Sequence, residues 1–368
     1  MARDEDDLET GESPEIKVPD PRENPSLVGH EAAEAVLLRA FLANRLPSGL
    51  LITGPHGIGK ATLAFRFARF LLAQAAERSG GGLFVPAAPT TLAVPAEHPV
   101  FRRIAAGGHA DLLTIERGID PKRKRERSEI VIEDARKVAG FLHLTPAEGG
   151  WRIVIVDIAD EMNRSAANTL LKILEEPPAR AVLILLSDNP GRLLPTIRSR
   201  CRRLALRPLS NERVDALIAR YRPDLTEAER SQLVKLAKGS IGRALELQEV
   251  KGLAIKDSIE ALLAGLPKLD GAALQDLADE VSRWNSEGTF SVLAELLPET
   301  LAEKIAAAAR PESRSDPPLS TLLRRRGLDR WVEVWEKIIH LFAQADAINL
   351  DRKQVVLNAF FALEEAAR

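Results

Sequence analysis

A glycine-rich turn near the start of the chain constrains the fold more than any other feature. Its sequence is Gly54-Pro55-His56-Gly57-Ile58-Gly59-Lys60, and it lies between the apolar run 49–53 and a helical pattern over 60–76. A G-x-x-x-x-G-K spacing between a buried strand and a helix predicts a phosphate-binding loop. Gly54, Gly57 and Gly59 would let backbone N–H groups curl around phosphate oxygens, and Lys60 would reach the terminal phosphates. We call residues 54–60 the phosphate loop.

The residue after the lysine departs from this pattern. Ala61 stands where a Ser or Thr hydroxyl normally coordinates Mg²⁺ in such loops. Thr62 follows one position later and would present its hydroxyl only after a shift of register. The loop therefore predicts a nucleotide-shaped site, while productive binding of Mg²⁺ and ATP stays open. The other interpretation is a glycine-rich turn with a surface lysine.

An acidic strand end is the expected partner of the phosphate loop. The apolar run 152–156 predicts a buried strand, and Asp157 follows it where a carboxylate would meet the metal through water. An active ATPase of this type usually carries Glu at the next position to polarise the attacking water, and here that residue is Ile158. Asp157 is alternatively a helix cap. With Ala61 and Ile158 both altered, we expect no ATP hydrolysis by this chain alone.

Alternating strand and helix patterns predict the fold class. Besides 49–53 and 152–156, a strand is expected over 181–187, and a helix over 165–176 that Pro177-Pro178 ends. Residues 130–132 predict a strand end, followed by a helix over 133–142. Such alternation predicts a parallel sheet covered by helices on both faces. Residues 1–23 are charged and proline-rich and predict a disordered tail. Only helical patterns follow residue 211.

Composition excludes several classes of function. Aromatic residues make up 4% of the chain and the net charge is -2, which disfavours a stacking platform or a bulk attraction for nucleic acid. The single cysteine, Cys201, excludes a disulfide framework and a thiolate zinc site. No apolar run approaches the ~20 residues of a membrane span, and the acidic N-terminus does not resemble a secretory signal. We expect a cytoplasmic protein without membrane contact.

The run 168–178 is the most diagnostic. Residues 168–178, Asn-Thr-Leu-Leu-Lys-Ile-Leu-Glu-Glu-Pro-Pro, form an amphipathic helix that stops at two prolines, and Ser187-Asp188 and Ser199-Arg200-Cys201 follow. Arginines such as those around residue 200 usually form a solvated basic surface, so spacing alone assigns no role to them.

The chain resembles bacterial clamp-loader subunits of the AAA+ superfamily. The matching segments span about residues 24–368 and are the phosphate loop, 168–178, 199–201, 239–243 and 349–354. The resemblance implies an α/β AAA+ P-loop domain over 24–207, a small helical lid domain over 208–250 and an all-helical collar domain over 251–368. The collar would fix the order of a five-subunit ring.

The resemblance also implies a role for individual residues. Arg200 would be an arginine finger that acts in trans on ATP held by a neighbouring subunit, because a guanidinium is always charged and bridges two phosphate oxygens. Ser187 or Asp188 would take the first sensor position and Arg243 the second. The chain would be a noncatalytic stator within the DNA polymerase III holoenzyme, a DNA-directed DNA polymerase. Its partners would be other clamp-loader subunits, the sliding clamp and primer–template DNA.

Two departures from the family pattern matter for cofactors. Relatives often carry a four-cysteine zinc module, and residues 77–110 contain no cysteine, so we expect no zinc and a structural or surface role for His98 and His109. Many stators have lost the loop lysine, whereas this chain keeps Lys60. Binding of ATP or ADP therefore stays open, with Mg²⁺ expected only if a nucleotide binds.

Two alternatives remain at this point. The chain could be the ATP-hydrolysing motor subunit of the same loader, acting through Lys60 and Asp157, or an AAA+ protein outside replication. The basic run Lys122-Arg123-Lys124-Arg125-Glu126-Arg127 is either a DNA-phosphate contact or a solvated loop, and the solvated loop is favoured. Trp331 and Trp335, four residues apart on a helix, indicate core or collar packing.

Overall fold

The computed structural model describes residues 18–79, 88–119, 127, 129–283, 287–310, 318–348 and 350–368. The chain forms two compact units, Met1–Gly242 and Arg243–Arg368. The division between them falls inside the region 208–250 that the sequence assigns to a lid, so the three-domain scheme stays a prediction.

The first unit alternates strands and helices, as the sequence predicts. Its elements are α1 Glu31–Leu42, β1 Gly49–Thr53, α2 Lys60–Ser79, α3 Pro99–Ala105, β2 Leu112–Ile115, α4 Ile132–Leu142, β3 Arg152–Val156, α5 Arg164–Glu175, β4 Ala181–Ser187, α6 Pro195–Arg200, β5 Arg202–Ala205, α7 Asn211–Tyr221, α8 Glu227–Ala237 and α9 Ile241–Glu249. A short 3-10 turn, Ala159–Glu161, lies between β3 and α5, and α9 crosses into the second unit.

The five strands form one parallel sheet in the order β2-β3-β4-β1-β5. The central strands β1, β3 and β4 are buried along their whole length, which explains their nearly uninterrupted apolar sequences. Register places Thr53 beside Ser187 and Leu51 beside Arg203. Because the strands are parallel, the phosphate loop, Asp157 and Asp188 all follow strand ends at the same edge of the sheet. The predicted α/β class with flanking helices is confirmed.

The sequence did not reveal the two edge strands. β2 is largely half-buried, and β5 is mostly exposed and carries Arg202 and Arg203, so neither shows the apolar run of a buried strand. The predicted strand end at 130–132 is wrong, because Ile130 makes only an isolated bridge with Met162 and α4 begins at Ile132.

The N-terminal boundary also differs from the prediction. Residues 1–17 of the expected tail lie outside the described residues, whereas residues 18–23 are described and partly packed. The buried guanidinium of Arg69 donates to the carbonyl oxygens of Arg22 at 2.9 Å and Asn24 at 2.7 Å. The folded chain therefore begins before residue 24. The basic run falls outside the described residues from 122 to 126.

The described part of the second unit consists of helices. They are α10 Gly252–Ala264, α11 Gly271–Ser282, α12 Glu287–Ala308, α13 Pro318–Arg326, α14 Leu328–Ile348 and α15 Arg352–Ala367. Trp331 is fully buried, and the Trp335 indole donates from Nε1 to the Pro298 carbonyl at 3.0 Å, so both tryptophans contribute to packing. Of the helices in the described ranges, none is long and apolar enough to cross a membrane.

Candidate functional site

Backbone geometry explains the glycines of the phosphate loop. Gly54, Gly57 and Gly59 have φ values of 153°, 70° and 105°, in the region that favours glycine. A Cβ at Gly54 would lie 2.7 Å from the Ile58 side chain and 2.8 Å from the Leu206 carbonyl oxygen. The sequence 54–60 therefore folds as the tight strand-to-helix turn that its spacing predicts.

Neighbouring segments of the first unit hold the outer side of the loop. The Ser240 hydroxyl donates to the carbonyl oxygen of His56 at 2.7 Å, and the Gly242 N–H donates to that of Gly57 at 2.9 Å. The buried ring of His30 places Nε2 at 2.7 Å from the Ile58 carbonyl oxygen. Three successive carbonyl groups of the loop are thus hydrogen-bonded to other segments of the first unit.

Lys60 begins α2 and is directed back over the loop. Its side chain is only 8% exposed, and its ammonium group donates to the Pro55 carbonyl oxygen at 2.7 Å and forms an ion pair with the Asp188 carboxylate. The other carboxylate oxygen of Asp188 lies 3.0 Å from Nδ1 of His56. The loop lysine is therefore bound at both a loop carbonyl and an acidic side chain.

Asp188 is positioned by its own network after β4. The Asp160 carboxylate accepts hydrogen bonds from the backbone N–H groups of Asp188 at 3.2 Å and Asn189 at 3.0 Å. Burial acts to raise the pKa of Asp188, but the hydrogen bonds from His56 and Lys60 outweigh it and lower the pKa. Asp188 is thus an ionised carboxylate whose backbone is held by Asp160 and whose side chain pairs with Lys60.

Asp157 lies at the same sheet edge but in a different electrostatic environment. Burial raises its pKa, the charge of Glu116 raises it further, and Lys60 acts in the opposite direction. Ile158 follows with φ 56°, a left-handed conformation that is rare for a β-branched residue. The position next to Asp157 therefore offers an alkyl side chain and no carboxylate to polarise water.

The remaining predicted ligands of this site are Ser187 and Thr62. Ser187 is fully buried at the end of β4, and within the described residues its hydroxyl has no hydrogen-bond partner. Thr62 lies in the first turn of α2 and is partly buried, one position after Ala61. The loop has the shape and the lysine to hold a phosphate, whereas Ala61 supplies no oxygen to Mg²⁺ and Lys60 is already paired with an internal carboxylate.

Among the residues that the structure describes, no group of three or more His, Cys, Asp or Glu side chains is placed to hold a metal ion. His98 accepts a hydrogen bond from the Val100 N–H at 3.2 Å and caps α3, and His109 accepts one from the Asp111 N–H at 3.2 Å. Both histidines have local structural roles.

Arg200 is the last residue of α6 and lies at the opposite edge of the sheet. Its carbonyl oxygen would be 3.5 Å from a Cβ at Gly49, where β1 begins, whereas the phosphate loop follows the other end of β1. The side chain is 38% exposed, and its guanidinium forms a 2.8 Å ion pair with Glu175 and donates to the Thr196 carbonyl oxygen at 3.2 Å. Glu175 ends α5, which runs from the loop edge back to the starting edge of the strands.

Cys201 follows Arg200 and anchors this segment. Its Sγ would be 3.0 Å from a Cβ at Gly49, and burial raises the pKa of its thiol to about 11. The thiol therefore packs as an apolar group against the start of β1.

Arg243 belongs to the second unit and is held there by acidic side chains. Its Nη2 donates to Glu299 at 2.7 Å, and its Nη1 lies 3.7 Å from Glu295 on the same helix, α12. The structure thus brings together Lys60, Asp157 and Asp188, as the sequence predicts. The second-sensor role of Arg243 stays a prediction.

Sequence reasoning missed the residues that support the loop. His56 lies inside the G-x-x-x-x-G-K pattern and Asp160 lies in the turn after β3, but nothing in their spacing connects either one to Asp188. His30 and Ser240 are likewise distant in sequence from the carbonyl groups that they contact. Only the folded chain shows these contacts.

Comparison with known proteins identifies related chains. The family model described as "DNA polymerase III, delta subunit" matches residues 29–210. The DNA polymerase III subunit delta' of Pseudomonas aeruginosa is 33% identical over 239 residues, which cover 64% of this chain and 65% of the relative. The subunit delta' of Escherichia coli is 29% identical, over 65% of this chain and 66% of the relative. The matches thus span slightly less than two thirds of these relatives.

A tau subunit and a solved structure also match. The DNA polymerase III subunit tau of Salmonella typhimurium is 26% identical over 73% of this chain and 39% of its own length. The crystal structure of a DNA polymerase III gamma subunit-related protein from Thermotoga maritima is 23% identical with a TM-score of 0.41, covering 91% of this chain and 99% of that chain.

Proposed function

We propose that the chain belongs to the DNA polymerase III clamp-loader family of AAA+ proteins and acts as the delta-prime subunit of the loader. In this role it is a stator: it helps to load the sliding clamp on primed DNA and supplies an arginine finger to a neighbouring ATPase subunit. Its partners are the other subunits of the five-membered ring, and through the ring the clamp and the primer–template DNA.

The observation that carries this proposal is the position of Arg200. Its backbone lies beside Gly49 at the starting edge of the sheet, whereas the chain's own phosphate loop lies past the far end of β1. A five-residue strand spans roughly 13–17 Å at about 3.3 Å per residue. Arg200 thus lies at the opposite edge of the sheet from its own loop, and its partly exposed side chain would exchange the ion pair with Glu175 for the triphosphate of another subunit.

The chain's own loop supports the absence of hydrolysis. Ala61 offers no hydroxyl to Mg²⁺, and Ile158 offers no carboxylate to orient the attacking water. Gly54, Gly57, Gly59 and Lys60 would hold the phosphates of ATP or ADP if one binds, with Thr62, Asp157, Ser187 and Asp188 around them. A bound Mg²⁺ would neutralise phosphate charge, and the protein residues themselves would only bind and orient the nucleotide.

The motor subunit of the same loader is the second candidate function. The retained Lys60 and the similarity to tau subunits favour it. The residues at 61 and 158 argue against it, because a motor needs both the metal ligand and the water-polarising acid.

Arg200→Ala in the reconstituted loader tests the proposal. At the neighbouring site, we expect the clamp- and DNA-stimulated ATP turnover to fall by roughly 10³-fold, as for other arginine fingers. Arg200→Lys should restore little, because an ammonium lacks the planar fork. Arg198→Ala on the same helix is the matched control, since Arg198 is also exposed. Unchanged turnover in an intact Arg200→Ala complex, or an equal loss in Arg198→Ala, would overturn the finger role.

A further inference from the structure

The carboxylate of Asp188 pairs with the positive charge of Lys60, which in a phosphate loop normally binds the phosphates of the ligand. One of its oxygens contacts the ammonium of Lys60 and the other contacts His56, so the carboxylate bridges the loop tip and the loop lysine. Lys60 is 8% exposed and Asp188 26%, which leaves little water to replace either partner. A buried ammonium needs a partner, and here that partner is part of the protein.

The contacts of Asp188 are braced from two sides. Asp160 fixes the backbone of Asp188 through two N–H groups, and Ser240 holds the carbonyl group of His56. Asp188 and its partner His56 are therefore held in place by residues from two separate segments of the first unit. Such bracing keeps the ion pair formed, because few rotations are lost when it closes.

The geometry points to Asp188 as an internal counter-ion that occupies Lys60 in place of a phosphate, so that this carboxylate decides whether the chain binds a nucleoside phosphate. The inference deepens the proposed function and rests on it for the class of ligand. An incoming phosphate has to displace the carboxylate and then lies beside its negative charge. Asp188, one of the two residues that the resemblance offers for the first sensor position, thus acts against nucleotide binding.

Removing the negative charge of Asp188 should therefore leave the Lys60 ammonium available to a nucleoside phosphate. Asp188→Asn keeps the size of the side chain and leaves Lys60 with the Pro55 carbonyl group as its remaining partner among these contacts. Asp215→Asn is the matched control, because Asp215 forms a 3.3 Å ion pair with Arg230 in the same unit, away from the loop in sequence. Both variants lose one carboxylate charge.

Calorimetric titration of the purified full chain with ADP, with and without Mg²⁺, measures the effect. We expect Asp188→Asn to bind ADP about tenfold more tightly than the unaltered chain or more, since hydrogen bonds to charged groups are the strong ones. Asp215→Asn should bind as the unaltered chain does. Adding Lys60→Ala to Asp188→Asn should abolish the gain, and excess inorganic pyrophosphate should compete with ADP.

His56→Ala provides a second variant in case Asp188→Asn folds poorly. His56 is 58% exposed, so its truncation leaves the core intact while it frees one oxygen of the Asp188 carboxylate. We expect a smaller gain in ADP affinity in the same direction. Equal ADP affinities of the unaltered chain and both variants would overturn the inference, as would a gain that persists without Lys60 or resists pyrophosphate. These titrations do not involve Arg200, so they leave the finger role to its own test.

Discussion

Lys60 and Asp188 form an ion pair across the carboxyl ends of two adjacent strands, β1 and β4. Asp157, at the end of the next strand, β3, is also near the Lys60 charge, but burial and Glu116 raise its pKa while the pKa of Asp188 is lowered. The two carboxylates lie at the same edge of the sheet. The folded state disfavours the ionised form of Asp157 and favours the ionised form of Asp188.

Neutralising these two carboxylates should therefore change stability in opposite directions at pH 7. Asp157→Asn should raise the free energy of unfolding, because the folded state holds a carboxylate whose ionised form burial disfavours. Asp188→Asn should lower it by about 1–3 kcal/mol, because a buried ammonium loses a charged partner. Urea unfolding of both variants beside the unaltered chain provides the measurement.

The pH dependence of these effects follows from the two pKa directions. The pKa of Asp157 is raised above 3.8, so its destabilising effect is absent in strong acid and grows as pH rises through the folded-state pKa. The pKa of Asp188 is lowered below 3.8, so its stabilising effect is present above that value and disappears as pH falls through the folded-state pKa. Changes of the same sign in both variants at pH 7 would contradict this assignment.

The contact between Gly242 and the phosphate loop predicts a strict requirement for glycine. A Cβ at residue 242 would lie 2.6 Å from the Gly57 Cα, and backbone atoms cannot easily move away. Gly242→Ala should lower the free energy of unfolding by about 1–3 kcal/mol, as overpacking usually does.

Gly140→Ala is the control for that substitution. Gly140 lies within α4, and apart from the backbone of its own helix no atom lies within 4 Å of the added Cβ; alanine favours a helix by up to about 1 kcal/mol. We expect this variant to be as stable as the unaltered chain or more so. Thermal unfolding of the two variants checks both expectations. If Gly242→Ala were as stable as Gly140→Ala, the close approach of residue 242 to Gly57 would not require glycine.

The two tryptophans of α14 should respond differently to replacement by phenylalanine. Trp335 donates a hydrogen bond to the Pro298 carbonyl group, whereas the Nε1 of the fully buried Trp331 has no partner in the described part of the chain. Trp335→Phe should cost about 1 kcal/mol for the lost hydrogen bond. Trp331→Phe loses no hydrogen bond to the described residues and only a little volume, whereas Trp331→Ala should cost about 3–5 kcal/mol because it leaves a large cavity.

Guanidinium chloride unfolding of the three tryptophan variants measures these differences. If Trp331→Ala unfolded at the same denaturant concentration as the unaltered chain, the burial of Trp331 would have no energetic importance in the second unit.

The sequence was sufficient for the parts of the fold that local pattern determines. The buried strands β1, β3 and β4 and the loop at Gly54 carry apolar runs and glycine spacing that are readable in one dimension. The edge strands β2 and β5 were missed, because exposed residues such as Arg202 and Arg203 have no apolar pattern. Long-range relationships were also invisible.

Two of these long-range relationships decide the functional interpretation. The pairing of Lys60 with Asp188 joins segments far apart in the chain, and no spacing rule connects them. The position of Arg200 beside Gly49 depends on how α6 packs against the start of β1. The chemical type of individual positions was thus predictable from the sequence. Which charged side chains form ion pairs with each other was not predictable.

Steady-state ATP hydrolysis by the purified chain alone, with Mg²⁺ and primed DNA, tests the stator proposal most directly. Lys60→Ala is the control for a phosphate-loop reaction, and Arg200→Ala is the control for self-activation. The stator proposal predicts background turnover in all three chains, because Ala61 and Ile158 supply neither the metal ligand nor the water-polarising acid. Clear turnover that disappears in Lys60→Ala would contradict it and would make this chain a motor subunit.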